Sequence, residues 1–223
     1  MKKDLCELVV VIDESGSMQS VVTDTIGGFN TFLETHQKLP GEAKLTLVKF
    51  DTTYNVVYNG VDVREVKPLD KTTYSPGGMT ALLDSVGKAI DEVGKRYDSM
   101  KKKEKPGKVI FLIITDGQEN SSKEYTKQQI KEKTKQRQDV DKFEFVFMGA
   151  DQDAWSNAQA IGISNSVNFV QKNMNKTIKG MTYYSSNMRT NSADLSMDNF
   201  NLSELELDAK LDQLKKSGND KKV

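Results

Sequence analysis

Three nearly continuous runs of apolar residues stand out along the chain, at Leu8–Ile12, Val109–Ile114 and Phe143–Met148. They are rich in β-branched and aromatic residues, a pattern typical of strands that are buried on both faces of a parallel sheet. Leu45–Phe50 is a fourth strand candidate with a more interrupted pattern, and Ser166–Val170 is a candidate for the last strand. The pattern therefore predicts a sheet of mostly buried strands.

A further strand candidate, Tyr54–Val61, follows Phe50 after only the three residues Asp51-Thr52-Thr53. This connection is too short for a parallel crossover, because a crossover needs a dozen or more residues. The two segments are therefore predicted to form an antiparallel hairpin at an edge of the sheet. Within it, Asp51 is interpreted as a turn residue rather than as a ligand.

Helical patterns alternate with the strands. Residues 20–39 and 81–100 carry apolar positions near a period of 3.6, and the first of these helices ends at Pro40-Gly41. The segment Ser121–Gln138 opens with Ser121-Ser-Lys-Glu124, which matches a capping box, and its polar composition predicts an exposed helix. Asp153 is placed to cap a short helix over residues 154–161, and Asp151 is interpreted as a turn residue.

This alternation predicts an α/β fold: a doubly wound, Rossmann-like and mostly parallel sheet with one antiparallel edge strand and helices on both faces. In such sheets, binding sites form at the carboxyl ends of the strands, near the point where the strand order reverses. The residues that follow the strands are therefore the first candidates for a functional site.

The composition changes after the last predicted strand, and the chain divides into three predicted regions. Residues 1–170 form the core of the domain, residues 171–201 a last helix and a polar connector, and residues 202–223 a charged helix and a disordered tail beginning at Ser217. The methionine-rich stripe from Met174 to Met188 is interpreted as core packing.

Composition excludes several classes of function. The 223 residues include 32 Lys plus Arg and 32 Asp plus Glu, so the formal net charge of zero argues against binding to nucleic acid or to an anionic membrane through bulk charge. No apolar stretch approaches the roughly 20 residues of a membrane span, and Met1-Lys2-Lys3 leads into no secretion signal. We expect a cytoplasmic protein, with Cys6 buried as a small apolar residue and His36 on the surface.

Acidic and hydroxyl side chains follow two of the predicted strands. Asp13 comes directly after Val11-Ile12, and Asp116 comes two residues after Ile114. If both strands are parallel and central, the two carboxylates emerge at the same edge of the sheet and repel each other unless a positive charge lies between them. Ser15 and Ser17 add hydroxyl oxygens on the adjoining turn, and Thr80 adds another after a glycine-rich loop.

Carboxylate and hydroxyl oxygens are hard ligands, and such a ligand set favours Mg²⁺, Mn²⁺ or Ca²⁺ over zinc. Mg²⁺ is the favoured ion because it retains several waters and so suits a site with few direct protein ligands. The sequence therefore predicts a divalent-cation site with five ligand residues: Asp13, Ser15, Ser17, Thr80 and Asp116.

Three separated segments carry a resemblance to a known family. Asp13-Glu14-Ser15-Gly16-Ser17 resembles the D-x-S-x-S motif of von Willebrand factor A-type (vWA) domains, and it is joined by Gly77-Gly78-Met79-Thr80 and Thr115-Asp116-Gly117. Together they resemble the metal-ion-dependent adhesion site of that family over about residues 5–170, in a format similar to small bacterial and phage members.

The resemblance implies a metal-dependent protein-binding module that is not an enzyme. It implies that Ser15, Ser17 and Thr80 contact the ion directly, that Asp13 and Asp116 act largely through bound water, and that a partner protein supplies an Asp or Glu to the ion. It also implies an adaptor role beside a separate AAA+ ATPase.

Two alternatives stay open. A Mg²⁺-dependent phosphoryl-transfer enzyme of the haloacid dehalogenase type also places an aspartate after its first strand, but it needs a second aspartate two residues later, where Ser15 stands, and a lysine in the site. The other alternative is a structural protein that pairs through Leu205–Leu214. No Gly-x-Ser-x-Gly elbow or P-loop lysine occurs in the sequence, which favours a non-catalytic role, and the sequence leaves the oligomeric state open.

Overall fold

The computed structural model describes residues 1–150, 154–169, 173–190 and 197–219. Within them, one sheet has six strands: β1 Lys2–Asp13, β2 Glu42–Phe50, β3 Tyr54–Asp62, β4 Pro106–Thr115, β5 Glu144–Ala150 and β6 Asn165–Phe169. The strand order is β3-β2-β1-β4-β5-β6. β3 is antiparallel to β2, and all other neighbouring strands are parallel. The predicted mostly parallel sheet with one antiparallel edge strand is confirmed.

The register of the sheet gathers the candidate site. Ile12 of β1 pairs with Ile114 of β4, so Asp13 and Thr115 lie at neighbouring strand ends. The chain leaves β1 to pair β2 on one side and later returns to pair β4 on the other, so the strand order reverses between these two strands. The carboxyl edge above β1 and β4 is where a doubly wound sheet places its binding site.

Helices cover both faces of the sheet: α1 Val22–Lys38, α2 Leu82–Ser99, α3 Lys127–Gln136, α4 Ala154–Ala160, α5 Met174–Thr190 and α6 Glu204–Asn219. A 3₁₀ turn, Gly16–Val21, precedes α1. Shorter helical segments are Val63–Glu65, Arg137–Asp141 and Met197–Asn201. Among the described helices, none is long and apolar enough to cross a membrane.

Successive residues of each central strand point to opposite faces, and both faces are buried. In β1, Val10 belongs to the apolar cluster formed with α1 and α5 on one face of the sheet, whereas Val9 belongs to the cluster formed with α2 and α3 on the other face. This double burial is why the strands read as continuous apolar runs rather than as alternating ones. Four apolar residues of α5 form part of the first face, which confirms the core role predicted for the methionine stripe: Met174, Ile178, Met181 and Met188.

α3 begins later than predicted. Thr126 caps it: the hydroxyl of Thr126 accepts the backbone N–H of Gln129 at 3.3 Å, and the Gln129 side chain accepts the backbone N–H of Thr126 at 2.8 Å. The capping box predicted at Ser121 was wrong, because the backbone N–H groups of residues 121–125 bind the carboxylates of Glu119 and Asp84 and hold that segment as a loop.

The prediction that His36 lies on the surface was also wrong. His36 is fully buried on the face of α1 that α5 covers, and its ring packs against Phe32 with 4.4 Å between ring centroids. Its Nε2 lies 3.1 Å from the hydroxyl of Ser185, and Arg189 donates to its carbonyl at 2.6 Å. The cause is α5: the two helices pack along each other, so a position that looks polar in α1 alone is enclosed.

The C-terminal helix α6 packs onto α5 rather than onto the sheet. Leu207 and Leu211 are buried beside Tyr183, whereas Leu205 is 82% exposed. The helix continues through Asn219, so the disorder predicted from Ser217 onward is wrong for residues 217–219. The roles predicted for Asp151 and Asp153, the last residue predicted for β6 and the end of the predicted tail lie outside the described residues. Cys6 is buried, as predicted.

Candidate metal centre

Asp13 is the most deeply buried member of the site, with no exposed surface. Its Oδ1 accepts the backbone N–H of Ser15 at 2.7 Å, and its Oδ2 accepts the hydroxyl of Thr115 at 2.5 Å. The buried hydroxyl of Tyr74 donates to its backbone carbonyl at 2.6 Å. The carboxylate is therefore fixed by groups from both sides of the β1–β4 junction.

The loop after β1 and the loop after β4 are joined through two serines. Ser15 Oγ lies 3.1 Å from Ser17 Oγ, and Ser17 Oγ donates to Asp116 Oδ1 at 2.6 Å. Ser15 is buried, Asp116 is partly buried and Ser17 is exposed, so the hydroxyls lead from the interior to the surface. Four of the five predicted ligand residues are thus linked by these bonds and by the contact of Asp13 with Ser15.

Thr80 arrives on the third loop, which approaches closely because of its glycines. The backbone N–H of Gly16 donates to the carbonyl of Gly78 at 3.2 Å. Gly78 has a φ of +70°, and a Cβ at this position would lie 3.0 Å from side-chain oxygens of Asp51 and Thr52. Asn120 then holds Thr80, accepting its backbone N–H at 2.9 Å. The close approach predicted for this glycine-rich loop is confirmed.

The three loops converge at a point beside Gly117. A Cβ built on Gly117 would lie 2.8 Å from Thr80 Oγ1, 3.1 Å from Ser17 Oγ and 3.3 Å from Asp13 Oδ2. Two oxygens from the loop after β1 and one from the loop that carries Thr80 therefore face a common small space beside the loop after β4, and any side chain at position 117 would fill it. The structure brings all five predicted residues together around this space.

The electrostatics of the site favour a cation. Burial raises the pKa of Asp13 above its usual range, and the nearby charge of Asp116 raises it further, while hydrogen bonds from Thr115 and Ser15 act in the opposite direction. A divalent cation between the two carboxylates would balance both charges. The donor set is hard and contains only two carboxylates, and the described residues contain no cluster of three or more His, Cys, Asp or Glu. The residues fit a small divalent cation with oxygen ligands.

Sequence reasoning missed an ion pair that supports the site. Lys49 Nζ contacts the carboxylate of Glu14 at 2.8 and 2.9 Å and donates to the carbonyl of Thr73 at 2.6 Å. Glu14 also accepts the backbone N–H of Ser75 at 2.7 Å. Together they fasten the loop before Thr80 to the ends of β1 and β2. The signal that could have found this pair is a lysine inside an otherwise apolar strand, because a buried lysine requires an acidic partner.

A second support joins the loop after Asp116 to the start of α2. Glu119 accepts the backbone N–H of Leu83 at 2.9 Å, which satisfies a free N–H group of the first helical turn. In the opposite direction, Asp84 accepts backbone N–H groups of Lys123, Glu124 and Tyr125 at 2.8 to 2.9 Å. Burial raises the pKa of Asp84, but these three donors outweigh it and the net pKa is lowered. Sequence reasoning identified neither carboxylate.

Comparison with known proteins identifies the family to which the chain belongs. A family model described as the von Willebrand factor type A domain matches residues 7–184, a range that contains all three loops of the site. The chain belongs to the vWA family. The matched range of this vWA domain ends inside α5, so α6 lies beyond it.

Solved structures agree on the fold. A von Willebrand factor type A protein from Catenulispora acidiphila is 17% identical with a TM-score of 0.51, over 81% of this chain and 42% of that chain. A proximal thread matrix protein from the mussel byssus is 14% identical with a TM-score of 0.54, over 82% and 47%. The manganese-loaded TRAP protein of Plasmodium vivax is 18% identical with a TM-score of 0.51, over 78% and 72%.

This vWA domain therefore spans less than half of the length of the first two of these proteins. At such low identities the likeness concerns the fold and not the activity. No curated protein sequence matches the chain.

Proposed function

We propose that this vWA domain is a metal-dependent protein-binding module in which a divalent cation at the carboxyl edge of the sheet binds an Asp or Glu of a partner protein. The observation that carries the proposal is the convergence of Thr80 Oγ1, Ser17 Oγ and Asp13 Oδ2 beside Gly117, with the Asp116 carboxylate hydrogen-bonded to Ser17. The residues that would hold the ion are Asp13, Ser15, Ser17, Thr80 and Asp116.

The chemistry of the donors explains why a partner would be recruited. Two carboxylates neutralise a divalent ion, and the remaining protein donors are uncharged hydroxyls. A bound ion would supply an electrophilic centre for an outside carboxylate. Mg²⁺ suits such a set, because it accepts few protein ligands and keeps several waters, while the manganese in the Plasmodium vivax relative supports a divalent ion of this type. Mn²⁺ and Ca²⁺ are the alternatives.

The contacts of Asp13 favour binding over catalysis. A phosphoryl-transfer enzyme of the haloacid dehalogenase type needs a carboxylate that reaches the substrate, but Asp13 has no exposed surface and both of its oxygens are engaged. Ser15 occupies the position of the second aspartate of that class, and Lys49, at the end of β2, is paired with Glu14. The adaptor role beside an AAA+ ATPase and the cytoplasmic location follow from the resemblance alone and stay predictions.

Direct titration of the metal tests the proposal. Mn²⁺ is added to the protein while the spectrum of the free ion is followed by electron paramagnetic resonance, and Mg²⁺ is then added as a competitor. We expect one site in the wild type, weakened about tenfold or more in Thr80→Ala and in Asp116→Asn, because each removes an oxygen donor or a charge. Ser99→Ala, an exposed serine at the far end of α2, is the matched control.

Equal Mn²⁺ binding by the wild type and both site variants would contradict the proposal. The enzyme alternative has a separate test, namely hydrolysis of p-nitrophenyl phosphate in Mg²⁺. Turnover that is lost in Asp13→Asn would replace the binding hypothesis with the phosphoryl-transfer one.

A further inference from the structure

Two polar cavities flank the metal centre at the carboxyl edge. The first, of about 270 Å³, lies between the start of α1 and the loop before Thr80, and its lining includes Gln19, Lys71 and Ser75. The second, of about 290 Å³, lies between the loop after Asp116 and α4, and its lining includes Gln118 and Lys127. The first cavity is lined by α1, which packs on one face of the sheet, and the second by α3 and α4, which pack on the other face, so the cavities adjoin the site from opposite sides.

Each cavity contains an exposed lysine, Lys71 in the first and Lys127 in the second. Across the described parts of the chain, neither ammonium group forms an ion pair with a carboxylate, in contrast to Lys49 and Lys88 of the same half of the molecule. Both lysines are therefore placed to receive an anionic group from outside.

Three carboxylates near these cavities are already engaged by the chain. Glu14 is paired with Lys49, and Glu119 accepts backbone N–H groups at both ends of its loop. Asp70, next to Lys71, accepts side-chain and backbone donors of Thr72 and Thr73, which lower its pKa to about 2. With a divalent ion between the two site carboxylates, the centre itself is neutral. The lysines then give this rim its positive character.

From this arrangement we infer that the partner segment carries acidic residues on both sides of the metal-bound carboxylate, and that Lys71 and Lys127 receive them. This inference rests on the proposed function, since it describes the partner of the same site. The attraction is between exposed or half-exposed charges, so each lysine contributes modestly and in a manner that depends on ionic strength.

The test compares two rhodamine-labelled peptides of equal length by fluorescence anisotropy in Mg²⁺ at low ionic strength. One is oligoglutamate, and the other has a single glutamate among serines and glycines. For oligoglutamate we expect Kd to rise about threefold in Lys71→Gln and in Lys127→Gln, and about tenfold in the double variant. For the single-glutamate peptide, the lysine variants should match the wild type.

Lys101→Gln and Lys103→Gln are the matched controls, because both lysines are exposed in the loop between α2 and β4, at the opposite edge of the sheet. Thr80→Ala separates the two hypotheses. If Thr80→Ala leaves the binding of both peptides unchanged, or if neither peptide binds the wild type, the metal-dependent function itself is contradicted. If Thr80→Ala abolishes binding while Lys71→Gln and Lys127→Gln behave like the controls, only the inference about flanking acidic residues is overturned.

Discussion

Opposite edges of the sheet each bury a group of polar side chains, and the two groups differ in how their charge is balanced. At the amino edge, the guanidinium of Arg189 donates to the carbonyls of His36, Leu39, Pro40 and Gly41, at the negative end of α1. At the carboxyl edge, Asp13 and Asp116 carry like charges and accept hydrogen bonds from uncharged groups. The four carbonyls of the first group share a donor from the chain itself, whereas for the second group we propose a cation from outside.

Polar groups are buried at the two edges for different reasons, one structural and the other functional. A buried donor whose acceptors all come from the same chain stabilises the fold, because its removal leaves those acceptors without partners. A buried pair of like charges weakens the fold and is retained where a ligand relieves it. The two edges should therefore respond in opposite ways to substitution.

The largest expected effect is at the amino edge. Arg189→Met should lower the free energy of unfolding by about 3 kcal/mol, because it leaves several carbonyls at the end of α1 without their donor. Urea denaturation followed by circular dichroism measures this loss. Arg64→Met, at an exposed arginine paired with Asp62, is the control and should change the stability by less than about 0.5 kcal/mol. Equal losses of stability in Arg189→Met and Arg64→Met would contradict the structural role proposed for Arg189.

A buried carboxylate in the described core extends the test. Glu7 is 1% exposed, forms an ion pair with Arg96 and accepts the hydroxyl of Thr46 at 3.1 Å. Glu7→Gln should cost about 2 kcal/mol of stability, because Arg96 loses its anionic partner in a partly buried setting. Glu42→Gln, which breaks the exposed pair with Lys2, should cost less than about 0.5 kcal/mol in the same urea titration. A loss as small for Glu7→Gln as for Glu42→Gln would contradict the expectation.

At the carboxyl edge, removal of a charged group should stabilise the metal-free fold instead of weakening it. In EDTA, Asp116→Asn should be at least as stable as the wild type, because it removes one of two like charges. Mg²⁺ at about ten times the wild-type Kd should then stabilise the wild type by about 1.4 kcal/mol and Asp116→Asn by no more than about 0.4 kcal/mol, because the variant binds at least tenfold more weakly. Thermal melts with and without the metal measure both quantities. Stabilisation of the variant by the same amount would show that the ion binds elsewhere.

The smallest expected effect is on the pH dependence. Burial, followed by the charge of Arg189, lowers the pKa of His36 well below 6.5, so the unfolded chain binds a proton there before the folded one does. This histidine should therefore cost stability as the pH falls below about 6.5, by about 1 kcal/mol between pH 6.5 and 5.5. The measurement is the difference in unfolding free energy between the wild type and His36→Gln at the two pH values. A difference that does not change with pH would mean that folding does not lower the pKa of His36.

The parts that sequence reasoning predicted are those in which the signal is local. The strands read as apolar runs because both faces of the sheet are covered, and the ligand residues stand in short motifs directly after them. The parallel register of β1 against β4, which the structure supplies, pairs Ile12 with Ile114 and so places Asp13 beside the segment that carries Asp116.

The parts that it missed depend on contacts between distant segments. His36 is buried because α5 covers it, and its contact in α5, Ser185, lies 149 residues further along the chain. The sequence around His36 carries no signal of this contact. The start of α3 shows the same limit: two motifs that can cap a helix stand in succession, at Ser121 and at Thr126. The backbone donors of the first are taken by Glu119 and Asp84, so only the second caps the helix.

Glu119 of the loop after Asp116 accepts a backbone N–H of α2, and Asp84 of α2 accepts backbone N–H groups of that loop. These reciprocal hydrogen bonds have a consequence for the kinetics of metal binding. Because α2 and the loop after Asp116 hold each other through backbone donors, the conformational entropy of this loop is lost when the chain folds and not when the ion arrives. We therefore expect ion uptake to involve no search among loop conformers. Its rate should follow the release of water from the ion, slow for Mg²⁺ and faster for more labile cations.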